Sequence, residues 1–181
     1  MRRALTLHPD SRCAAATQID VEITRSHSAE LVLRYAVTGR IADLRLPPAT
    51  SPERADELWR HTCFEAFMRP LAGAAYWELN FAPSTQWAAY GFSGYRSGMR
   101  IANEIEAPRI EVQSSVDRYT MQASLDLRGL PDLPSDAAWR VGLSAVIEET
   151  NGNISYWALA HPPGRADFHH SDCFALELTR A

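Results

Sequence analysis

Apolar and polar residues alternate along much of this chain, and the alternation is clearest in the run Tyr76–Phe81. Every second residue of the run is large and apolar, and these residues are Trp77, Leu79 and Phe81. The residues between them are more polar, namely Tyr76, Glu78 and Asn80. A period of two is typical of a strand with one buried face. Because Glu and Asn are poor strand residues, the polar face either lines a binding site or lies in solvent on an antiparallel sheet.

The same alternation predicts further short strands that are separated by turn residues. In chain order the predicted strands are 4–7 as an edge strand, 17–24, 31–37 with a short continuation at 41–46, 63–68, 75–81, 87–92, 109–116, 118–127, 139–149, 154–159 and 173–179. The short polar link 26–29 between the second and third strands predicts a hairpin. Three strands between residues 62 and 93 predict an antiparallel meander.

One stretch favours a helix. Pro52, after Ser51, would occupy the first helical position of one or two turns that end before Trp59. Many short strands with hardly any helix are typical of a β-sandwich. We therefore predict an all-β fold, a single-domain antiparallel β-sandwich of jelly-roll or immunoglobulin-like type that spans residues 1–181.

The composition narrows the possible functions. The chain has 181 residues, of which 46% are hydrophobic and 22% are charged, and these values are typical of a globular protein. Its net charge of −4 argues against a surface that coats nucleic acid or binds an anionic membrane. The three cysteines are widely spaced, which is not the pattern of a disulfide framework. No apolar run is long enough to span a membrane, and no signal peptide is recognisable. We therefore expect a cytoplasmic protein.

The predicted strand 63–68 carries a glutamate on a face that is otherwise apolar. Glu65 shares this face with Cys63 and Phe67, while the residues between them form a second apolar face. An isolated carboxylate is costly to bury, so Glu65 needs a partner. The candidates are an arginine, a metal ion and a ligand hydroxyl.

Tryptophans near strand ends are the first candidate binding residues. Trp59 and Trp157 both lie at predicted junctions between strand and loop. An exposed indole stacks on a sugar ring, because axial C–H groups meet the negative face of the ring. The alternative is that each tryptophan packs in the core. Polar residues that could hydrogen-bond a sugar beside Trp59 are Arg60, Glu65, Glu78 and Asn80.

Histidines and cysteines form a second group of candidates. They lie at residues 61–63 and 167–173, and the two segments could meet in space to bind zinc through His and Cys. The candidate metal ligands are His61, His169, His170 and Cys173, although their spacing matches no recognised zinc motif. An enzyme built on the same cluster is a further alternative, but no nucleophile elbow or glycine-rich phosphate loop supports it.

The order of these motifs resembles that of DOMON-like domains, which are similar to family 9 carbohydrate-binding modules. Residues 56–67 resemble a motif in which a tryptophan precedes a strand of the type Cys-x-Glu-x-Phe. Residues 76–84 resemble the next strand, Tyr-x-Glu-x-Asn-x-x-Pro. Three further segments look typical of a bacterial, stand-alone group of these domains, namely 87–90, 94–96 and 161–174.

The resemblance implies a β-sandwich with a ligand site. Family 9 modules hold the end of a sugar between two tryptophans, with charged and amide groups at its hydroxyls. By motif, Trp59 corresponds to the first tryptophan and Glu65 to its acidic partner, and Trp157 is the candidate for the second tryptophan. Arg96 and Asn80 are the implied polar contacts. Other DOMON domains bind haem through Met and His, and this chain matches no such motif.

These observations predict a non-catalytic domain that binds a small ligand, with a sugar favoured. The predicted ligand-binding residues are Trp59, Glu65, Glu78, Asn80, Arg96 and Trp157. No cofactor is predicted, and a metal ion or haem held by the His/Cys cluster is the alternative. The expected partner is a small molecule rather than nucleic acid or a membrane, and the sequence leaves the oligomeric state open.

Overall fold

The structure is a computed structural model and describes residues 1–26, 30–130, 133 and 136–179. Within these residues the backbone forms twelve strands and three short 3-10 helices. The strands are β1 (Arg2–Leu7), β2 (Ala16–Arg25), β3 (Glu30–Gly39), β4 (Cys63–Pro70), β5 (Tyr76–Phe81), β6 (Trp87–Phe92), β7 (Arg100–Ile101), β8 (Arg109–Ser114), β9 (Arg118–Asp126), β10 (Trp139–Glu148), β11 (Ile154–Ala158) and β12 (Leu176–Leu178). The 3-10 helices are Ile41–Asp43, Leu58–Arg60 and Ser171–Cys173. None of these helices is long and apolar enough to cross a membrane.

The strands pair antiparallel and form one sheet that folds into two layers. The order across the sheet is β7-β6-β5-β4-β10-β11-β1-β2-β3-β9-β8, and β12 pairs with β10 beside this path. β1 joins the two layers, because Thr6 and Leu7 pair with β11 while residues 2–5 pair with β2. Buried side chains from both layers form one core cluster. This arrangement confirms the predicted all-β antiparallel sandwich.

Alternate residues of each strand supply the core, as a period of two requires. The core-facing residues of β4 and β5 are Phe64, Ala66, Met68, Trp77, Leu79 and Phe81. Phe64 packs on Tyr35 of β3 and Tyr119 of β9 in the opposite layer. The Tyr35 hydroxyl also donates a 2.6 Å hydrogen bond to the Glu65 carbonyl oxygen. Since the neighbours of Glu65 face the core, its side chain points to the outer face of the sheet.

Three predictions about the first half of the chain are wrong. The segment Ile41–Asp43 forms a 3-10 helix rather than the start of a short strand. β1 is not an edge strand, because β2 and β11 both pair with it, and the sheet ends instead at β7 and β8. No helix begins at Pro52. Glu53 and Ala55 exchange backbone hydrogen bonds with Trp87, and these bonds hold the segment extended beside β6.

The start predicted for the last strand is also wrong. The strand begins at Leu176 rather than at Cys173, because Cys173 belongs to a 3-10 helix. Its thiol donates to the backbone carbonyl oxygens of Ala160 and Asp167, each at 3.2 Å, which fixes it to the preceding loop.

The hairpin and the meander are confirmed. β2 pairs with β3, although residues 27–29 of the predicted link lie outside the described part of the chain. β4, β5 and β6 pair in sequence order. A second cluster of buried apolar residues covers the outer face of this meander. The fold therefore has a buried surface outside the sandwich core, and this surface carries the candidate site.

Candidate functional site

The polar face of β5 is buried. Tyr76, Glu78 and Asn80 are 3%, 5% and 0% exposed, and they point away from the sandwich core. Three segments pack over this face: one before β4 that carries Trp59, one after β6 that carries Arg96, and one before β12 that carries His169. The alternative of a solvated polar face is therefore wrong.

Beneath these segments lies a cavity of about 330 Å³, which we call the site cavity. Its volume lies within the range of small-molecule sites. It brings together four of the residues singled out in the sequence, namely Trp59, Glu65, Glu78 and Arg96. The lining also contains residues that were not predicted as ligand contacts, among them Tyr156, Phe168 and His169.

Glu65 and Glu78 form the floor of the site cavity, and we call them the carboxyl pair. Strand register places Glu65 opposite Asn80 on one side and Ser144 on the other. Because Glu78 lies two residues before Asn80, the two carboxyl groups are diagonal neighbours. Asn80 Nδ2 donates to Glu78 Oε1 at 2.8 Å, and Ser144 Oγ lies 3.4 Å from Glu65 Oε2. The other oxygen, Glu65 Oε1, is buried, and no described residue hydrogen-bonds to it.

Burial makes both carboxyl groups hard to ionise. It raises the pKa of Glu65 well above its usual range, and the neighbouring Glu78 charge raises that pKa further. Burial also raises the pKa of Glu78 to about 7, against the lowering effects of the Asn80 hydrogen bond and the Arg96 charge. The carboxyl pair can therefore both donate and accept hydrogen bonds near neutral pH.

His169 lies over the carboxyl pair beside Tyr76. The Tyr76 hydroxyl is 2.8 Å from His169 Nδ1, and the Arg96 backbone N–H donates to the same hydroxyl at 3.2 Å. The arrangement that satisfies all three groups has the hydroxyl donate to Nδ1, which places the ring proton on Nε2. That nitrogen is 3.8 Å from Glu78 Oε2. Burial, with the Arg96 charge, lowers the pKa of His169 to about 4, so the ring is neutral at pH 7.

Arg96 lies at the rim of the site cavity. Its φ of 49° is uncommon for a residue other than glycine, and such conformations occur often at functional sites. Its guanidinium donates to Asp167 Oδ1 at 2.8 Å, while Tyr95 donates to the other oxygen of Asp167. Because the Arg96 side chain is 53% exposed and has five N–H donors, it can also donate to a ligand.

The aromatic residues of the cavity differ from the predicted tryptophan pair. Trp59 is 37% exposed and packs edge-on against Tyr90, with ring centres 6.2 Å apart. Trp157 is 5% exposed, lies in the sandwich core, and donates from its indole nitrogen to Ser155 Oγ at 3.1 Å. It does not line the site cavity. The preceding residue, Tyr156, points to the opposite face of β11, is 37% exposed and lines the cavity.

The four candidate metal ligands do not meet. His61 Nδ1 is 2.7 Å from Glu148 Oε2, His170 accepts a hydrogen bond from a nearby backbone N–H, and the Cys173 thiol donates to backbone carbonyls. Of the four, His169 lines the site cavity. Across the ranges that the structure describes, no three or more His, Cys, Asp or Glu side chains are grouped to hold a metal ion.

Comparisons with known proteins identify the fold type. No protein-family model matches the chain, and no curated protein matches it. A protein from Bacteroides uniformis, described as a candidate carbohydrate-binding protein, is similar over 96% of this chain and 83% of its own, with a TM-score of 0.66 and 12% identity. A family 9 carbohydrate-binding module from Caldicellulosiruptor kristjanssonii, solved with cellotriose, is similar over 88% of this chain and 74% of its own, with a TM-score of 0.52 and 9% identity. The chain therefore has a β-sandwich fold like that of family 9 carbohydrate-binding modules.

Proposed function

We propose that this chain is a non-catalytic domain that binds a small sugar in the site cavity. The observation that carries the proposal is the combination of two partly exposed aromatic residues, Trp59 and Tyr156, with the buried carboxyl pair in one cavity. Convergent polar groups among apolar and aromatic side chains are typical of small-molecule sites. An unpartnered buried oxygen such as Glu65 Oε1 costs free energy unless a ligand forms a hydrogen bond with it.

The order of the strands separates the two aromatic residues. Trp59 packs on Tyr90 of β6, and Tyr156 belongs to β11, with β5, β4 and β10 between those strands. The carboxyl pair comes from β5 and β4, so it lies between the two aromatic residues. A ring-shaped ligand there would meet an aromatic face and have carboxyl groups beneath it. Sugars suit this combination, because their C–H faces are apolar and their hydroxyl groups donate and accept hydrogen bonds.

In this proposal Tyr156, and not Trp157, is the second aromatic residue of the clamp around the sugar. The carboxyl pair binds hydroxyl groups, and Arg96 donates to the sugar from the rim. Asn80 orients Glu78 through its hydrogen bond and does not itself line the cavity.

The similar structures and the motif order both support this proposal. One of the similar proteins is a family 9 module in complex with cellotriose. Residues 56–67, 76–84, 94–96 and 161–174, which resemble DOMON-like domains, supply most of the residues of the site cavity. We therefore include in the proposal that residues 1–181 form one DOMON-like domain.

Isothermal titration calorimetry with a panel of monosaccharides and cellotriose tests the proposal. Trp59→Ala and Tyr156→Ala should each weaken the best-binding sugar by about tenfold, because each change removes a ring that stacks on the ligand. Val116→Ala is the control, since Val116 is 91% exposed between β8 and β9 in the other layer, and this variant should bind like the wild type.

Unfolding curves of the variants separate a binding defect from a folding defect. Because both aromatic residues are partly exposed, their removal should leave a cooperative unfolding transition. Failure of the wild-type protein to bind any sugar, or full affinity in both aromatic variants, would contradict the proposal.

A further inference from the structure

Among the described residues, no basic side chain hydrogen-bonds to the carboxyl pair in the site cavity. Among the described residues that line the cavity, the basic side chains are Arg96 and His169. The Arg96 guanidinium is paired with Asp167, and its charge lowers the pKa of Glu78 without offsetting the effect of burial. His169 is neutral at pH 7, because burial lowers its pKa to about 4. Burial therefore keeps protons on the carboxyl pair near neutral pH, and a cation bound between Glu65 and Glu78 would replace those protons.

The carboxyl pair also has more accepting capacity than the described residues fill. Glu65 Oε1 is buried without a partner among them, and Glu65 Oε2 has a long contact of 3.4 Å with Ser144 Oγ. Glu78 Oε2 is 3.8 Å from His169 Nε2, which is beyond hydrogen-bond distance. A carboxylate only accepts hydrogen bonds. A hydroxyl has one hydrogen to donate, and its oxygen also needs a donor. An ammonium group brings three N–H donors and no acceptor, so it matches this floor better than a hydroxyl does.

The aromatic lining favours a cation as well. The cavity is lined by the rings of Trp59, Phe92, Tyr156 and Phe168. The face of an aromatic ring carries negative electrostatic potential and attracts an ammonium group within about 6 Å of its centre. The attraction is stronger at a site that is shielded from water. The floor of the site cavity is shielded in this way, because the carboxyl pair is buried.

We propose that the sugar bound in the site cavity carries a free amino group, and that its ammonium binds between Glu65 and Glu78. This inference rests on the proposed sugar-binding function and names the class of sugar. A hydroxyl or an N-acetyl group in the same place forms only neutral hydrogen bonds or hydrogen bonds to a single charge, because it carries no charge of its own. Affinity should therefore depend on the charge of the substituent and not only on its size.

The experiment compares sugars that differ in one substituent. Calorimetric titrations at pH 7 would measure glucose, glucosamine and N-acetylglucosamine, together with the corresponding galactose and mannose series. At least one amino sugar should bind about tenfold more tightly than both its neutral parent and its N-acetyl derivative, because its hydrogen bonds are charge-assisted. Glu78→Gln should reduce this preference to less than about threefold. Glu177→Gln, an exposed change on β12, is the matched control and should keep the preference.

The outcomes separate this inference from the function on which it rests. Neutral sugars that bind as tightly as the amino sugars would overturn the amino-group proposal and leave sugar binding intact. A preference that survives in both Glu65→Gln and Glu78→Gln would overturn the assignment to the carboxyl pair. Absence of binding by every sugar would overturn the proposed function, and this inference with it.

Discussion

Glu78 should make the stability of the folded protein fall as the pH rises, which is the opposite of the usual behaviour of a glutamate. Burial raises its pKa from 4.5 to about 7. Between those pH values the folded state keeps a proton that the unfolded state has released. The contribution of Glu78 to stability is therefore complete below pH 4.5 and is lost as the pH rises through 7. The difference between the two pKa values corresponds to about 3 kcal/mol of unfolding free energy.

His169 acts in the opposite direction in the same cavity. Burial lowers its pKa from 6.5 to about 4, so the folded state stays neutral while the unfolded state takes up a proton. This group therefore lowers stability as the pH falls from 6.5 to 4, again by about 3 kcal/mol. The effects of Glu78 and His169 nearly cancel each other between pH 4.5 and 6.5, so a substitution is needed to separate them.

The substitution Glu78→Gln separates the two effects. Glutamine keeps an oxygen that accepts the hydrogen bond from Asn80, but it does not ionise. Relative to wild type, the unfolding free energy of the variant should rise by about 2.5 kcal/mol between pH 5 and pH 8. Loss of the Glu78 charge also removes its repulsion of Glu65, which changes stability in the same direction.

Urea unfolding at pH 5 and pH 8, followed by circular dichroism, measures this difference. Val116→Ala, in the exposed turn between β8 and β9, is the control and should differ from wild type equally at both pH values, because neither side chain ionises. The reasoning would be refuted if Glu78→Gln, too, differed from wild type by the same amount at pH 5 and pH 8.

Two further predictions concern the core and the thiols. Tyr35→Phe should lower the unfolding free energy by about 1 kcal/mol or more, because it removes a buried 2.6 Å hydrogen bond to the Glu65 carbonyl oxygen; an unchanged urea midpoint would contradict this. A thiol reagent should label Cys13 in the folded protein but not Cys63 or Cys173, because burial raises the pKa of both buried thiols, that of Cys173 to about 12. Peptide mass spectrometry locates the label, and rapid labelling of Cys63 would show that β4 is not buried.

The strands and their faces could be predicted because they depend on local periodicity. The alternation in β4 and β5 separates Glu65 and Glu78 from the core-facing residues without any knowledge of the tertiary structure. The false helix at Pro52 had a local signal too, but backbone hydrogen bonds to Trp87 overrode it. Long-range pairing of this kind leaves no mark in a short stretch of sequence.

Tyr156 could not be identified from the sequence, because neighbouring residues of a strand point to opposite faces. Register with β10 decides between them: Trp157 lies opposite Ala145, and Tyr156 lies opposite Val146. Ala145 belongs to the sandwich core, so Trp157 faces the core as well. Residue type does not decide this, since tryptophan is both a good stacking residue and a large core residue.

The position of His169 in the site cavity could not be predicted from the sequence either. A His-rich segment favours a metal site as readily as any other use of histidine. Its approach to Tyr76 joins residues that are far apart in the sequence. His61, from the other predicted half of the metal site, lies against Glu148 instead.

A crystal structure of the protein with its most tightly binding sugar tests the central claim most directly. Our account predicts that the sugar ring occupies the site cavity, with one face against Trp59 or Tyr156. It also predicts a donor group of the sugar within hydrogen-bond distance of Glu65 and Glu78. A sugar bound elsewhere on the protein, without contact to the two aromatic residues or the carboxyl pair, would contradict the account.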